Sequence, residues 1–252
     1  MLIPTVRSLF SASWRQLRRI TGQYIPLPYE VEKAEQSFYI RYLQQGMVVF
    51  DIGANIGELA LLFSRFVGQH GRVYGFEASQ ETFTRLERVI ETANRKNIEL
   101  NRLALSDITG TAQLRVYDAE HAGWSTLADR PLENYGIHVR PERLEEVPTM
   151  TIDDYCDSHR IERIDLVKID VEGAEQQVIA GAERMMNENR IGCLVFEFGQ
   201  TTYDMGNNPR DLARMIEGRG FRLRNLNRGA PLFPGGHSVA TAQFSMHIAT
   251  PR

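Results

Sequence analysis

The chain has 252 residues, 42% hydrophobic and 24% charged, with a formal net charge of −3, which is enough apolar material for a sizeable core and excludes the polar bias of a disordered chain. Lys and Arg are scattered rather than gathered into a stripe, which argues against a nucleic-acid partner. The two cysteines, Cys156 and Cys193, lack the spacing of a disulfide framework or zinc site and fit a reduced, cytoplasmic setting.

At the N-terminus, Met1 to Ile20 mixes Leu9, Phe10, Trp14 and Leu17 with Arg7, Arg15, Arg18 and Arg19, the pattern of a basic amphipathic helix. It lacks the unbroken apolar core of a signal peptide, and no run reaches the roughly 18 residues that span a bilayer. Residues 1–29 therefore read as an amphipathic segment that docks on its own domain, pairs in a homodimer or rests on a membrane surface. Residues 30–252 read as one domain.

Met47 to Ile52 reads as a buried strand, and Leu59, Leu62, Phe63 and Phe66 then recur at helical spacing. Arg72 to Phe76 is the next strand, followed by a helix burying Phe83, Leu86, Ile90 and Ala93 and a third strand over Ile98 to Leu103. This alternation is that of parallel βαβ units in a doubly wound α/β domain. Ala112 to Tyr117 and Glu146 to Met150 read as extra strands flanking a Gly- and Pro-punctuated loop, an insertion before the fourth core strand. Thr151 and Asp154 form a capping pattern for a helix through His159. Ile164 to Ile169 and Gly192 to Phe198 are the fourth and fifth strands. Asn208 and Pro209 open a helix burying Leu212, Met215 and Ile216, and Phe221 to Leu226 and Gln243 to Ile248 complete the sheet.

The first strand ends in Asp51-Ile52-Gly53-Ala54-Asn55-Ile56-Gly57-Glu58. Gly53 and Gly57 let backbone pass close to a ligand, and the following helix aims its free N–H groups at a carboxylate. The spacing is not the G-x-G-x-x-G of dinucleotide-binding loops, which argues against NAD and nucleotide-sugar enzymes built on the same sheet. Glu77 closes the second strand about 20 residues past the loop, where an acid accepts hydrogen bonds from ribose hydroxyls. Both acids stand at strand carboxyl ends, where open α/β sheets bind ligands.

With these pieces the sequence resembles the class I methyltransferases and, more narrowly, the FkbM family. The resemblance runs from about Tyr29 onward and rests on Asp51 to Gly57, Phe76-Glu77-Ala78, Ala104-Leu105-Ser106-Asp107 and, most diagnostic, Asp165-Leu166-Val167-Lys168-Ile169-Asp170-Val171-Glu172-Gly173-Ala174-Glu175. It implies a Rossmann-like, mainly parallel seven-stranded sheet with an antiparallel last strand and a small β insertion. It also implies S-adenosyl-L-methionine as cofactor. In that comparison Asp51, Gly53, Ala54, Asn55 and Gly57 line the methionine end, Glu77 with Ala78 holds the ribose, and Ala104, Leu105 and Ser106 border the adenine. Gly123-Trp124-Ser125-Thr126-Leu127 is similar to a small polar turn of the family. The implied reaction is O-methylation of a hydroxyl on a sugar, glycan or secondary metabolite; the alternative is a non-catalytic cofactor-binding partner in a biosynthetic assembly.

Methyl transfer places the difficult electrophile on the cofactor and leaves the protein to align a hydroxyl and draw off its proton. Asp170, Glu172 and Glu197, at the ends of the fourth and fifth strands, are the candidate bases, with Asp170 first. The bland alternatives are that Asp170 caps a helix starting near Gly173 and that Glu172 serves that helix's dipole. Lys168, two positions before Asp170, shares its face of an extended strand and orients or neutralises it. Asp170 and Glu197 are also the candidate ligands for a divalent ion such as Mg2+. His237, in a Gly- and Pro-rich loop, is a candidate lid residue or base against the reading of a solvated loop histidine. His121 and His138 lack metal-ligand spacing and receive no role.

Overall fold

The computed structural model describes residues 28–118, 121–135 and 138–252. The segment Met1 to Ile20 and its suggested membrane or dimer contact lie outside the described residues. Among those described, no helix is long and apolar enough to cross a membrane.

Strand alternation decides the layers. In β1 (Val48–Ile52), Val49 joins one apolar cluster while Phe50 and Ile52 join another, as the period of two requires. β2 (Arg72–Phe76), β3 (Ile98–Asn101), β7 (Leu166–Ile169) and β8 (Leu194–Phe198) run parallel to it. β10 (Ser245–Pro251) pairs antiparallel with both β8 and β9 (Phe221–Asn225). The seven-stranded order is β3-β2-β1-β7-β8-β10-β9. On one face, α1 (Pro28–Tyr42) and α2 (Glu58–Val67) bury Tyr39, Phe63 and Val67 against Val49, Leu166 and Val195. On the other, α4 (Ile152–His159), α5 (Glu175–Ala180), α6 (Glu183–Asn187) and α8 (Pro209–Gly218) bury Tyr155, Val178, Met185 and Ile216 against Phe50, Val167 and Phe196. The remaining helices are α3 (Gln80–Ala93) and α7 (Gln200–Asp204). Cys156 and Cys193 are free, buried, and in the two opposite clusters.

The caps read from the sequence form as read. Thr151 Oγ1 accepts the Asp154 N–H at 2.9 Å, and Asn208 Oδ1 accepts those of Arg210 and Asp211 at 3.1 and 3.0 Å. The insertion is also present, as β5 (Gly110–Val116) and β6 (Arg143–Met150).

Three local readings change. The third strand stops at Asn101, and Ala104 and Leu105 form β4, which leaves the main sheet for a second one of order β4-β6-β5. The cause is a long-range partner, since Thr149 and Met150 of β6 offer a parallel edge. The helix placed near Gly173 begins at Glu175. Helix α1 was not read at all, although Phe38, Tyr39, Tyr42 and Leu43 carry its apolar spacing.

Candidate active site

The parallel strands β1, β2 and β7 end at one rim, and hydrogen bonds stitch their ends together. Gly53 and Ala54 N–H both donate to Phe76 O, at 3.0 and 2.9 Å, and Asp170 N–H donates to Ile52 O at 3.1 Å. A side-chain carbon at Gly53 would stand 1.8 Å from Asp170 O, on a backbone with φ of +75°, so the first turn can lie against the β7 turn only as glycine. Above this rim opens a cleft of about 370 Å³, lined by Gly53 and Asn55, by Glu77 and Ala78, by Ala104 and Leu105, by Asp170 and Glu172, and by the strap Gly123 to Leu127. That volume is within the range of small-molecule sites.

Glu77 is anchored through both oxygens, Oε2 accepting the Asn55 N–H at 3.1 Å and Oε1 the Ser79 N–H at 3.0 Å. A carboxylate has about four lone-pair sites, so it keeps acceptor capacity toward the cleft. Burial pushes its carboxyl up to about 7, against the pull of those two N–H groups.

Beneath the first turn lies a charged cluster. Lys168 and Asp51 are cross-strand partners, and Lys168 Nζ lies 3.4 Å from Asp51 Oδ1 and 3.5 Å from Asp170 Oδ2, while donating to Gly53 O at 3.2 Å. Burial opposes the lysine's charge, but Asp170, Asp51 and Glu35 outweigh it and raise the ammonium above the ordinary lysine range. Glu35, from α1, accepts from the buried Tyr39 hydroxyl at 2.6 Å. Burial raises the Asp51 carboxyl and Lys168 opposes that rise. Lys168 thus ties the glycine turn to the carboxylate facing the cleft, on the shared face that strand alternation assigns.

The strap is fastened at the far wall. Thr126 Oγ1 donates to Glu172 O at 2.7 Å, and Arg130 reaches Glu172 Oε2 at 3.2 Å and the buried Asp204 Oδ2 at 3.3 Å. Glu172 has a φ of +54°, and burial with neighbouring Asp170 pushes its carboxyl up to about 8. It holds the strap and stands outside the helix it was suggested to stabilise. Nor does Asp170 cap that helix, because Glu175 Oε1 accepts the Val171 and Gly173 N–H groups at 3.2 Å each. Asp170 is left with its side chain 42% exposed in the cleft.

Comparison with known proteins identifies the family. The model of the methyltransferase FkbM domain matches residues 51–223. The chain belongs to the FkbM methyltransferase family. It is 29% identical over 227 residues to the 31-O-demethyl-FK506 methyltransferase FkbM of Streptomyces tacrolimicus, covering 80% of this chain and 84% of that one. It is 24% identical over 204 residues to the hexuronic acid methyltransferase AglP of Haloferax volcanii, covering 81% and 71%. The crystal structure of a candidate rRNA methylase from Clostridium thermocellum shares the fold, with a TM-score of 0.50 at 12% identity over 88% of this chain and 96% of that one. The chain is accordingly an S-adenosylmethionine-dependent methyltransferase.

In this FkbM methyltransferase several candidate residues stand behind the cleft rather than on its wall. Asp51 is fully buried and acts on the turn through Lys168. Ala54 packs with Phe83, Leu86 and Ile90 of α3. A side-chain carbon at Gly57 would meet Leu86 at 2.6 Å, so this glycine serves helix packing. Ser106 is buried, its N–H donating to Met150 O at 2.9 Å. His237 is exposed in its loop and does not line the cleft.

Glu197, half-buried, also lies outside the lining; burial with Asp170 and Glu172 raises its carboxyl well above the usual range. Among the described residues no group of three or more His, Cys, Asp or Glu side chains is disposed to hold a metal ion. The Lys168 ammonium already lies 3.5 Å from Asp170, so the donor set does not fit Mg2+. Arg130 and the anchoring role of Thr126 were missed because their partners are 42 and 46 positions away; Glu35 and Tyr39, bonded four residues apart, could have been found from the spacing of α1.

The buried carboxyls make stability pH-dependent. Glu77 and Glu175 are held up at about 7 and Glu172 at about 8, all by burial first, so the folded chain binds more protons than the unfolded one above the ordinary value of 4.5. This stabilisation is complete below that value and is lost as pH rises through about 7 to 8. His247, held down to about 4 by burial, acts in the opposite sense, but only below its ordinary value of 6.5. Melting temperature is therefore expected to fall between pH 6.5 and about 8.5, and Glu175→Gln to flatten the fall. A flat profile in the unaltered chain would contradict the raised carboxyls.

Proposed function

We propose that the chain transfers a methyl group from S-adenosylmethionine to a hydroxyl of a small molecule or glycan. The observation that carries this reading is one cleft holding a backbone-anchored carboxylate, Glu77, together with a lysine-paired one, Asp170. The names of the Streptomyces and Haloferax relatives, a methyltransferase of an O-demethyl compound and a hexuronic acid methyltransferase, support a hydroxylated acceptor.

The residues fit the cofactor. The remaining lone pairs of Glu77 suit two ribose hydroxyls, Ala104, Leu105 and Leu114 suit the adenine, and Gly53 with Asn55 suits the amino-acid end. Bound there, the cofactor supplies a methyl group activated by a sulfonium. Asp170 then orients the acceptor hydroxyl and takes its proton, Lys168 holding the carboxylate in place from behind. Arg130 and Thr126 keep the strap closed over the cleft and exclude water.

Glu77→Ala tests the cofactor assignment. Hydrogen bonds to a charged group are worth about 1.5–3 kcal/mol, so calorimetry should show S-adenosylmethionine binding about 10- to 150-fold more weakly. Unchanged affinity would remove Glu77 from the ribose. Transfer of a labelled methyl group to hydroxylated metabolites, read by mass spectrometry, tests the reaction itself.

A further inference from the structure

Helix α1 lies on the sheet with its amino end toward the ligand-binding rim. Tyr42, in its last turn, donates to Asp165 O at 3.0 Å, at the start of β7, and Tyr39 is buried with Val49, Leu166 and Val195. Glu35 stands one helical turn nearer the rim, an advance of about 5.4 Å. Two residues along a strand advance by about 6.6 Å and return to the same face, which carries Val49 to Asp51, Leu166 to Lys168 and Val195 to Glu197. Glu35 therefore faces the Asp51 and Lys168 cross-strand pair from the helix side, with Glu197 on the neighbouring strand. The charges agree with that placement. Burial raises the Glu35 carboxyl, and the Tyr39 hydroxyl and Lys168 pull it back, while Glu35 joins Asp170 and Asp51 in raising the Lys168 ammonium against its burial.

Packing alone asks for neither polar group. The Tyr39 ring meets Phe63 edge-on, with centroids 4.8 Å apart, a contact a phenylalanine would make as well, and a carboxyl drawn out of water costs free energy that an apolar side chain would not. The Lys168 ammonium already has Gly53 O at 3.2 Å, Asp51 at 3.4 Å and Asp170 at 3.5 Å, so Glu35 acts on it through charge. We infer that Glu35, held by Tyr39, is a positioning residue of the active site, its charge keeping the Lys168 ammonium against the Gly53 turn and Asp170. The bond that holds it runs from the Tyr39 hydroxyl to Glu35 Oε1 at 2.6 Å. Helix α1 lies ahead of the matched residues 51–223 and thereby contributes to the site from outside them. The bearing on methyl transfer rests on the base role proposed for Asp170; the hold on Lys168 does not.

The chain has three lysines, Lys33, Lys96 and Lys168, of which Lys168 is buried and the other two are exposed. NMR of the full chain, with isotope-labelled lysine side-chain nitrogens and neither cofactor nor acceptor added, therefore reads the Lys168 ammonium as one slowly exchanging signal, assigned by its loss in Lys168→Met. Glu35→Gln keeps the shape and the bond from Tyr39, and should speed the hydrogen exchange of that signal about threefold or more. Glu35→Asp should restore most of the protection, and Tyr39→Phe should give a smaller increase than Glu35→Gln. The double variant Glu35→Leu with Tyr39→Phe should exchange fastest yet melt within about 5 °C of the unaltered chain or above it, since apolar replacement of buried charge is often neutral or stabilising. Unchanged exchange in Glu35→Gln overturns the assignment, and so does a larger melting loss in the double variant, which would make the pair an element of the fold. With the acceptor found by labelled-methyl transfer, Glu35→Gln should lower kcat about three- to tenfold and leave KM within about twofold; an unchanged kcat overturns the role in transfer. A chain that transfers to no acceptor defeats the proposed reaction and leaves the Lys168 signal to decide on Glu35.

Discussion

Asp170→Asn is expected to leave the cofactor bound and the chemistry lost, with kcat falling about 10²- to 10⁴-fold, the usual contribution of a general base. The amide matches the carboxylate in shape and cannot take the proton of a hydroxyl at neutral pH. Asp170 is not part of the Glu77 anchor, so the Kd for S-adenosylmethionine should stay within about threefold. Single-turnover measurements on the loaded enzyme separate the two effects. A kcat equal to that of the unaltered chain would strip Asp170 of the base role. A second arm distinguishes a base from a metal ligand: the rate should survive EDTA, because the cation beside Asp170 is Lys168, 3.5 Å away. A rate lost on chelation and restored by Mg2+ would make Asp170 a ligand instead.

Gly53→Ala should be the most damaging single-methyl change in the turn. Its new carbon would lie 1.8 Å from Asp170 O and 2.9 Å from the carbonyl carbon, on a backbone with φ of +75°. Backbone on both sides of this contact is fixed by hydrogen bonds to Phe76 O and Ile52 O, so neither turn can retreat alone. Left-handed strain of about 1–2 kcal/mol adds to overpacking of about 1–3 kcal/mol. For a domain of this size the melting temperature should fall by about 5–15 °C. Cofactor affinity should fall further than the stability loss implies, because the displaced turns carry Asn55, Asp170 and, through Asn55, the Glu77 anchor. Gly46→Ala is the control: its φ is +87° with nothing within 4 Å, so it carries the strain without the collision. Equal losses in the two variants would show that the close approach to Asp170 does not matter.

Much of this site is written in local pattern. The two-residue period of β1 and β7 assigns Asp51, Lys168 and Asp170 to one side of the sheet, and Thr151 and Asn208 mark helix starts through side chains bonding N–H groups two or three residues on. The acids closing β1 and β2 and the glycine turn between β1 and α2 are equally local, and they were enough to read the sheet and its ligand-binding rim, while the cofactor followed from the family resemblance. Periodicity and capping depend on backbone geometry over a few residues, so a sequence displays them directly.

Which partner each carboxylate meets was decided elsewhere. Asp170, Glu172 and Glu175 look alike in the sequence, yet Glu175 ties its own turn, Glu172 on the cleft wall meets Arg130 from 42 positions away, and Asp170 faces the cleft paired with Lys168. Ala104 and Leu105 changed sheets because β6 supplied an edge, and the strap is held across the cleft because Thr126 meets Glu172 O from 46 positions away. Such pairings depend on how loops close and which faces pack. Periodicity therefore sets which way a side chain points, and only the assembled sheets, strap and helices set what it meets.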